Sequence, residues 1–114
     1  MSTDRELLEL AAKAAGIRID KSSSNGGGHG NDGFDVMGNV VLDWHNGITW
    51  NPLADDGDAL RLAVSMNMGI SIYDVQVTAA SAFGMPVKEH DKDTAKATRR
   101  AIVRAAAEIG REMP

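Results

Sequence analysis

Three aspartates within four positions, Asp55, Asp56 and Asp58 around Gly57, form the densest group of carboxylates in the chain. Hard cations such as calcium or magnesium want several carboxylate oxygens held close together, so the cluster has the composition of a metal site. It lacks the full calcium-loop spacing, because no glutamate stands at the far position. The aspartates also open an apolar-periodic run, where one such side chain caps a helix and complements its dipole. Capping explains one aspartate and leaves two over. Three histidines, His29, His45 and His90, could each act as a base or a metal ligand. They stand in a glycine-rich stretch, a hairpin turn and a helix approach, so no local pattern joins them. No HExxH, GxSxG or P-loop motif occurs, and GGGHG neither follows a strand nor opens a helix with a Lys and a Ser/Thr.

Two further groups suggest binding instead of catalysis. Trp44 and Trp50 flank a turn, and with Asn51 and the aspartates they make a candidate ligand surface. Aromatic faces stack on planar ligands, although in a chain with two Phe, two Trp and one Tyr they are also natural core anchors. Lys92, Lys96, Arg100 and Arg104 recur every four residues and predict a basic stripe on the last helix. Glu108 continues the row and stands four residues from Arg104, the spacing of a solvated helix ion pair.

Composition restricts the setting of these groups. With no cysteine, thiol nucleophiles, thiolate zinc sites and disulfide scaffolds are excluded. The absence of cysteine also fits a reducing cytosol. A net charge of −4 argues against a protein whose task is neutralising phosphates along nucleic acid. No apolar run approaches the roughly 20 residues of a membrane span, and MSTDRELLEL lacks the basic and apolar regions of an export signal. The length of 114 residues predicts a single domain, residues 1–114, around one core filled by Leu, Ile, Val, Met and Ala. Helices can approach closely over such alanines.

The elements that must position the candidate groups follow from periodicity and caps. Thr3 and Glu6 have capping-box spacing, Leu7, Leu8, Ala11, Ala14 and Ala15 make one stripe, and Gly16 stops the helix. Ile17 to Ile19 forms a brief extended piece, and residues 20–33 form a flexible Gly/Ser-rich loop. Phe34 to Trp44 is extended, Asn46-Gly47 predicts a type I′ hairpin turn, and ITW follows before Asn51-Pro52 ends the strand. A second helix carries Leu60, Ala63, Val64 and Asn67 on one face and Leu62 and Met66 on another, which predicts deep burial, and Gly69 stops it. Strand-like runs follow around Ile70 to Val77 and Val87 to His90. Asp91 or Asp93 then caps a helix to about Glu112, with Ala95, Thr98, Ile102, Ala105, Ala106 and Ile109 inward. The order is α-β-β-α-β-β-α, an α/β (α+β) chain with one mainly antiparallel sheet covered by helices.

The strings WNPLADDGDALRLAV, DRELLELAAKAAGI and ATRRAIVRAAAEIGREM resemble a family of small phage and prophage proteins, the phage ABA sandwich domain. The strand, NPL turn and acidic helix start are the most specific part. The resemblance implies a three-layer α/β/α sandwich with helices on both faces of the sheet, a phage or prophage origin and the cytosol of a bacterial host. It transfers no catalytic residue.

The leading expectation is therefore a non-enzymatic accessory protein that binds a host factor, a phage partner or a small ligand, without cofactor. A metal-assisted hydrolase or nucleotide-processing enzyme using Asp55, Asp56 and Asp58 with a histidine is the alternative. Nucleic-acid binding through Lys96, Arg100 and Arg104 is the third. A thin, alanine-rich core also makes a homo-oligomer a candidate assembly.

Overall fold

Thr3 fixes the start of the first helix. In the computed structural model, which describes residues 3–22, 32–73, 76–81 and 86–114, its hydroxyl accepts the Glu6 N–H at 3.1 Å and α1 runs Asp4–Ala15. Gly16 takes φ 72, and the N–H groups of Gly16 and Ile17 turn back to Lys13 and Ala12. This is a left-handed C-cap that only a residue without Cβ adopts freely. Leu7, Leu8, Ala11 and Ala12 are buried, while Ala14 and Ala15 are half-buried, so the stripe is rotated slightly from the expected one.

The extended run expected from Phe34 is shorter in the structure. Asp35 accepts the N–H groups of Met37 and Asn39 and folds residues 35–38 into a turn, leaving Phe34 as an isolated bridge to Val40. β1 (Val40–Asp43) then pairs antiparallel with β2 (Ile48–Trp50). The hairpin turn is not the expected type I′, because Gly47 has a positive φ and Asn46 does not. Asp43 takes both the Asn46 backbone N–H and its side-chain amide, and four residues cross between the strands with a register shift between Val41 and Asp43. A local carboxylate has outcompeted the tighter turn for that N–H.

α2 (Asp56–Ser65) begins at the Asp55 cap. It ends before Gly69, because Asn67 takes φ 53 and the Met68 N–H returns to the Ala63 carbonyl at 3.0 Å. Asparagine tolerates the left-handed region well enough to serve as the cap. Gly69 instead opens β3 (Gly69–Tyr73), which pairs with β4 (Gln76–Ala80), and β4 pairs with β5 (Val87–His90), all antiparallel. Tyr73 pairs with Gln76, so the strand-like run from Ile70 to Val77 is two antiparallel strands. α3 (Thr94–Glu112) is capped by Asp93 and packs across β4 and β5, with α1 and α2 against it.

The chain is thus mixed α+β, and among the described residues it has three helices and five antiparallel strands, one strand more than the expected order, because the run from Ile70 to Val77 is two strands. The strands form two sheets, β1-β2 and β3-β4-β5, where one was expected. The cause lies at the outer edge of β1. Asp20 donates its N–H to Val41, and Val41 donates to Gly33, so irregular chain occupies the edge that a third strand would need. The core joins Phe34, Trp50, Leu62 and Val77 to the buried alanines Ala97, Ala101, Ala105, Ala106 and Ala107 of α3. Ala95, expected inward, is exposed. No helix among the described residues is long and apolar enough to cross a membrane.

Asp20 anchors the near end of the expected flexible loop, of which residues 23–31, with His29, lie outside the described residues. Its carboxylate accepts from Ser22 and from the Trp44 N–H, and its backbone carbonyl accepts the Trp44 indole N–H at 2.8 Å. The Ser22 hydroxyl, then the Trp44 and Ser22 N–H groups, hold the Asp20 carboxyl below its ordinary 3.8. Its folded value is depressed, so the stability it contributes is complete above about 3.8 and is lost as pH falls through the lower folded value. Urea midpoints followed downward from that pH should decline less steeply in Asp20→Asn than in the wild type. Identical acid profiles would contradict the anchoring role.

Candidate functional site

The three aspartates serve structural ties, with Asp55 and Asp58 both near Arg61 and Asp56 turned to α3. Asp55 caps α2, accepting the Asp58 N–H at 2.8 Å. Asp58 accepts the Asn51 N–H at 2.8 Å with one oxygen and meets Arg61 at 2.7 Å with the other. Asp56 reaches across to α3 and pairs with Arg99 at 2.7 Å. Arg99 is largely buried and also donates its Nε to the Leu53 carbonyl, so one guanidinium fastens the NPL turn and the start of α2 to α3. The two aspartates that capping left unexplained are therefore a strand-to-helix tie and a helix-to-helix tie. Among the described residues, no group of three or more acidic or histidine side chains is placed to hold a metal ion.

Asn51 belongs to the same construction. Its side chain accepts the Leu53 N–H and donates to Asn39, and its carbonyl accepts from Ala54 and Asp55, which wraps the turn around the buried Pro52. Trp50 is buried in the core, and Trp44 is half-buried with its indole N–H committed to Asp20, so the two do not share an open stacking surface. Of the histidines, His45 is exposed in the hairpin turn, and His90 is exposed at the end of β5 with its Nε2 3.1 Å from Gln76 Oε1.

The basic stripe is neutralised along its length. Lys92 precedes α3 instead of lying on it. Lys96 approaches Asp91 at 3.9 Å, Arg100 meets Asp4 at 3.0 Å, and Arg104 pairs with Glu89 on β5. Arg104 was expected to pair with Glu108, but Glu108 meets Arg111 at 3.6 Å. The β5 carboxylate wins because its side chain is mostly buried and it sits where the guanidinium can also reach the Lys88 carbonyl.

Small hollows lie beside Trp50 and beside Asn51, and a larger one lies away from both. A groove of about 450 Å³ runs between α2, β3 and α3, lined by Ala59 and Leu60, by Ile70 and Ile72, and by Ala95 and Ile102. Asp56 and Arg99 stand at its rim as an already paired couple. The side of α2 that turns to the core carries Ala59, Leu62 and Ala63, while Leu60 and Val64 are exposed, contrary to the expected burial around most of the helix. Of the groove residues, Leu60 had a sequence signal, since with Val64, which is exposed outside the lining, it makes an apolar row apart from the face that turns to the core. A helix apolar on two sides is either enclosed or presents one side for docking, and periodicity alone does not separate the two. Comparison with family models, with curated proteins and with solved structures gave no match.

Proposed function

We propose that this chain is a non-enzymatic accessory protein of a phage or prophage that acts in the host cytosol as a binding module, with the α2–β3–α3 groove as its binding surface. The observation that carries the reading is the coincidence of that groove with exposed Leu60 and Ile72. Apolar side chains gathered at one concave place mark interaction sites, whereas scattered ones need no explanation. The resemblance of the strand, NPL turn and acidic helix start to the phage ABA sandwich family supports the phage setting. The engagement of Asp55, Asp56 and Asp58 with Asp58 N–H, Arg99 and Arg61 favours binding over metal-assisted hydrolysis. The pairing of Lys96, Arg100 and Arg104 with carboxylates disfavours a nucleic-acid surface.

An anilinonaphthalene dye, which fluoresces in apolar grooves, should bind the dilute folded chain. Its affinity should fall about tenfold in Leu60→Lys, equivalent to about 1.4 kcal/mol. Leu60 is exposed, so the substitution should leave unfolding within about 0.5 kcal/mol of the wild type. Unchanged dye affinity would remove the groove as the binding surface. Turnover of a nucleotide or phosphate ester would overturn the non-enzymatic reading.

A further inference from the structure

We infer that the groove is closed by a second copy of this chain, whose β3 pairs antiparallel with β3 of the first across a two-fold axis at Ser71. The inference rests on the groove being a binding surface and names its occupant. In a strand, half of the N–H and C=O groups point away from a single neighbour. β3 is an edge strand, and among the described residues its outer edge meets no backbone partner. Exposed edges are ordinarily blunted by charge, and the opposite edge of the same sheet shows this. β5 carries Lys88 and Glu89, and Arg104 donates to the Lys88 carbonyl while pairing with Glu89. β3, with the sequence GISIY, carries no charge at all.

The uncharged strand is self-complementary about its centre. Antiparallel pairing on Ser71 sets Ile70 of one copy across from Ile72 of the other and Gly69 across from Tyr73, so the exposed Tyr73 ring lies over a residue without a side chain. The inner-face isoleucines of both copies then form one row that closes the mouth of both grooves, and the sheet becomes six-stranded. The same patch serves both partners, as a two-fold contact requires. Leu60, Val64, Ile72 and Tyr73 are between 56% and 74% exposed. Together they present on the order of 500 Å², and with the backbone of β3 and the groove walls this approaches the roughly 800 Å² that each partner of a stable dimer buries.

Sedimentation of the full chain at micromolar concentration should give twice the 12.1 kDa monomer. The chain has no cysteine, so an introduced thiol reports its own contacts. Directly opposed residues bring Cβ atoms about 4.5–5.5 Å apart, close to the reach of a disulfide. Under mild oxidation, the Ser71→Cys variant should form a covalent dimer at least tenfold faster than Thr49→Cys, an equally exposed position on β2. Ser71→Asp, which sets two carboxylates face to face, should weaken the dimer at least tenfold without disturbing the circular dichroism of the fold. A wild-type chain that sediments as a monomer, or a dimer in which Ser71→Cys crosslinks no faster than Thr49→Cys, overturns the pairing. If dye binding still falls in Leu60→Lys, the groove reading survives that failure; if it does not, both fall together.

Discussion

Gly110→Ala should destabilise the chain by about 3 kcal/mol in urea unfolding, the cost of forcing bulk into a closed helix crossing. A Cβ at this position would lie 2.8 Å from the Leu10 carbonyl carbon and closer still to its oxygen, both backbone atoms that no rotamer change can move aside. Asp4 meets Arg100, Leu10 meets Gly110 and the Lys13 ammonium reaches the Met113 carbonyl, so α1 and α3 run side by side in the same direction. The buried alanines of α3 make that approach possible, and at Gly110 the Leu10 backbone leaves no space for a Cβ. On an open helix surface the same substitution would stabilise by up to about 1 kcal/mol through helix propensity. The sign of the effect therefore distinguishes a crossing in contact from one with space to spare, and a stabilised Gly110→Ala would contradict this packing.

Phe34→Ala should cost about 4 kcal/mol, in the range of a fully buried aromatic truncated to a methyl group. The ring is 1% exposed, and the Arg5 guanidinium lies over it at 4.4 Å from the centroid. Only two Phe and two Trp serve the whole chain, so few side chains could refill the space. Phe34 also sits where irregular chain closes the outer edge of β1. Its loss should loosen that edge, seen as faster amide exchange at Val40 and Val41 than in a variant of equal stability cut elsewhere in the core. A loss of under about 1 kcal/mol would show that this region is tolerant and outside the cooperative core.

Helix ends were the most legible part of the sequence, because their signals are local. Thr3 and Gly16 cap where their types and spacing predict, and Asp55 and Asp93 each come from the few aspartates that the sequence offered as caps. The sheet was less legible. Whether β1 joins β3-β4-β5 depends on Asp20 and Gly33 arriving at its edge from distant positions, and no window around β1 contains that information. The stop of α2 was misplaced for a local reason, since Asn67 competes with Gly69 for the left-handed cap and stands nearer. The Arg104 partner was misread because i,i+4 spacing counts only intrahelical neighbours, and Glu89 comes from a strand.

The candidate site divides in the same way. The aspartate cluster stood out in the sequence because its residues are adjacent, yet adjacency on a helix start sends their side chains in different directions. Asp56 goes to Arg99, while Asp55 takes the Asp58 N–H and Asp58 takes the Asn51 N–H, with Arg61 beside both carboxylates. Arg99 fastens the junction to α3, and α2, which lines the groove, starts from that junction. The groove draws its residues from three elements, and of its exposed apolar residues only Leu60, four positions from Val64, left a trace in local spacing.

An amide-resolved NMR titration with the anilinonaphthalene dye tests most directly whether the junction is scaffold and the groove is site. Shifts concentrated at Ala59, Leu60, Ile70, Ile72, Ala95 and Ile102, with Trp44 and Asp55 unmoved, are the predicted result. Shifts centred on Trp44, Asn51 and Asp55, leaving the α2–β3–α3 groove silent, would contradict it.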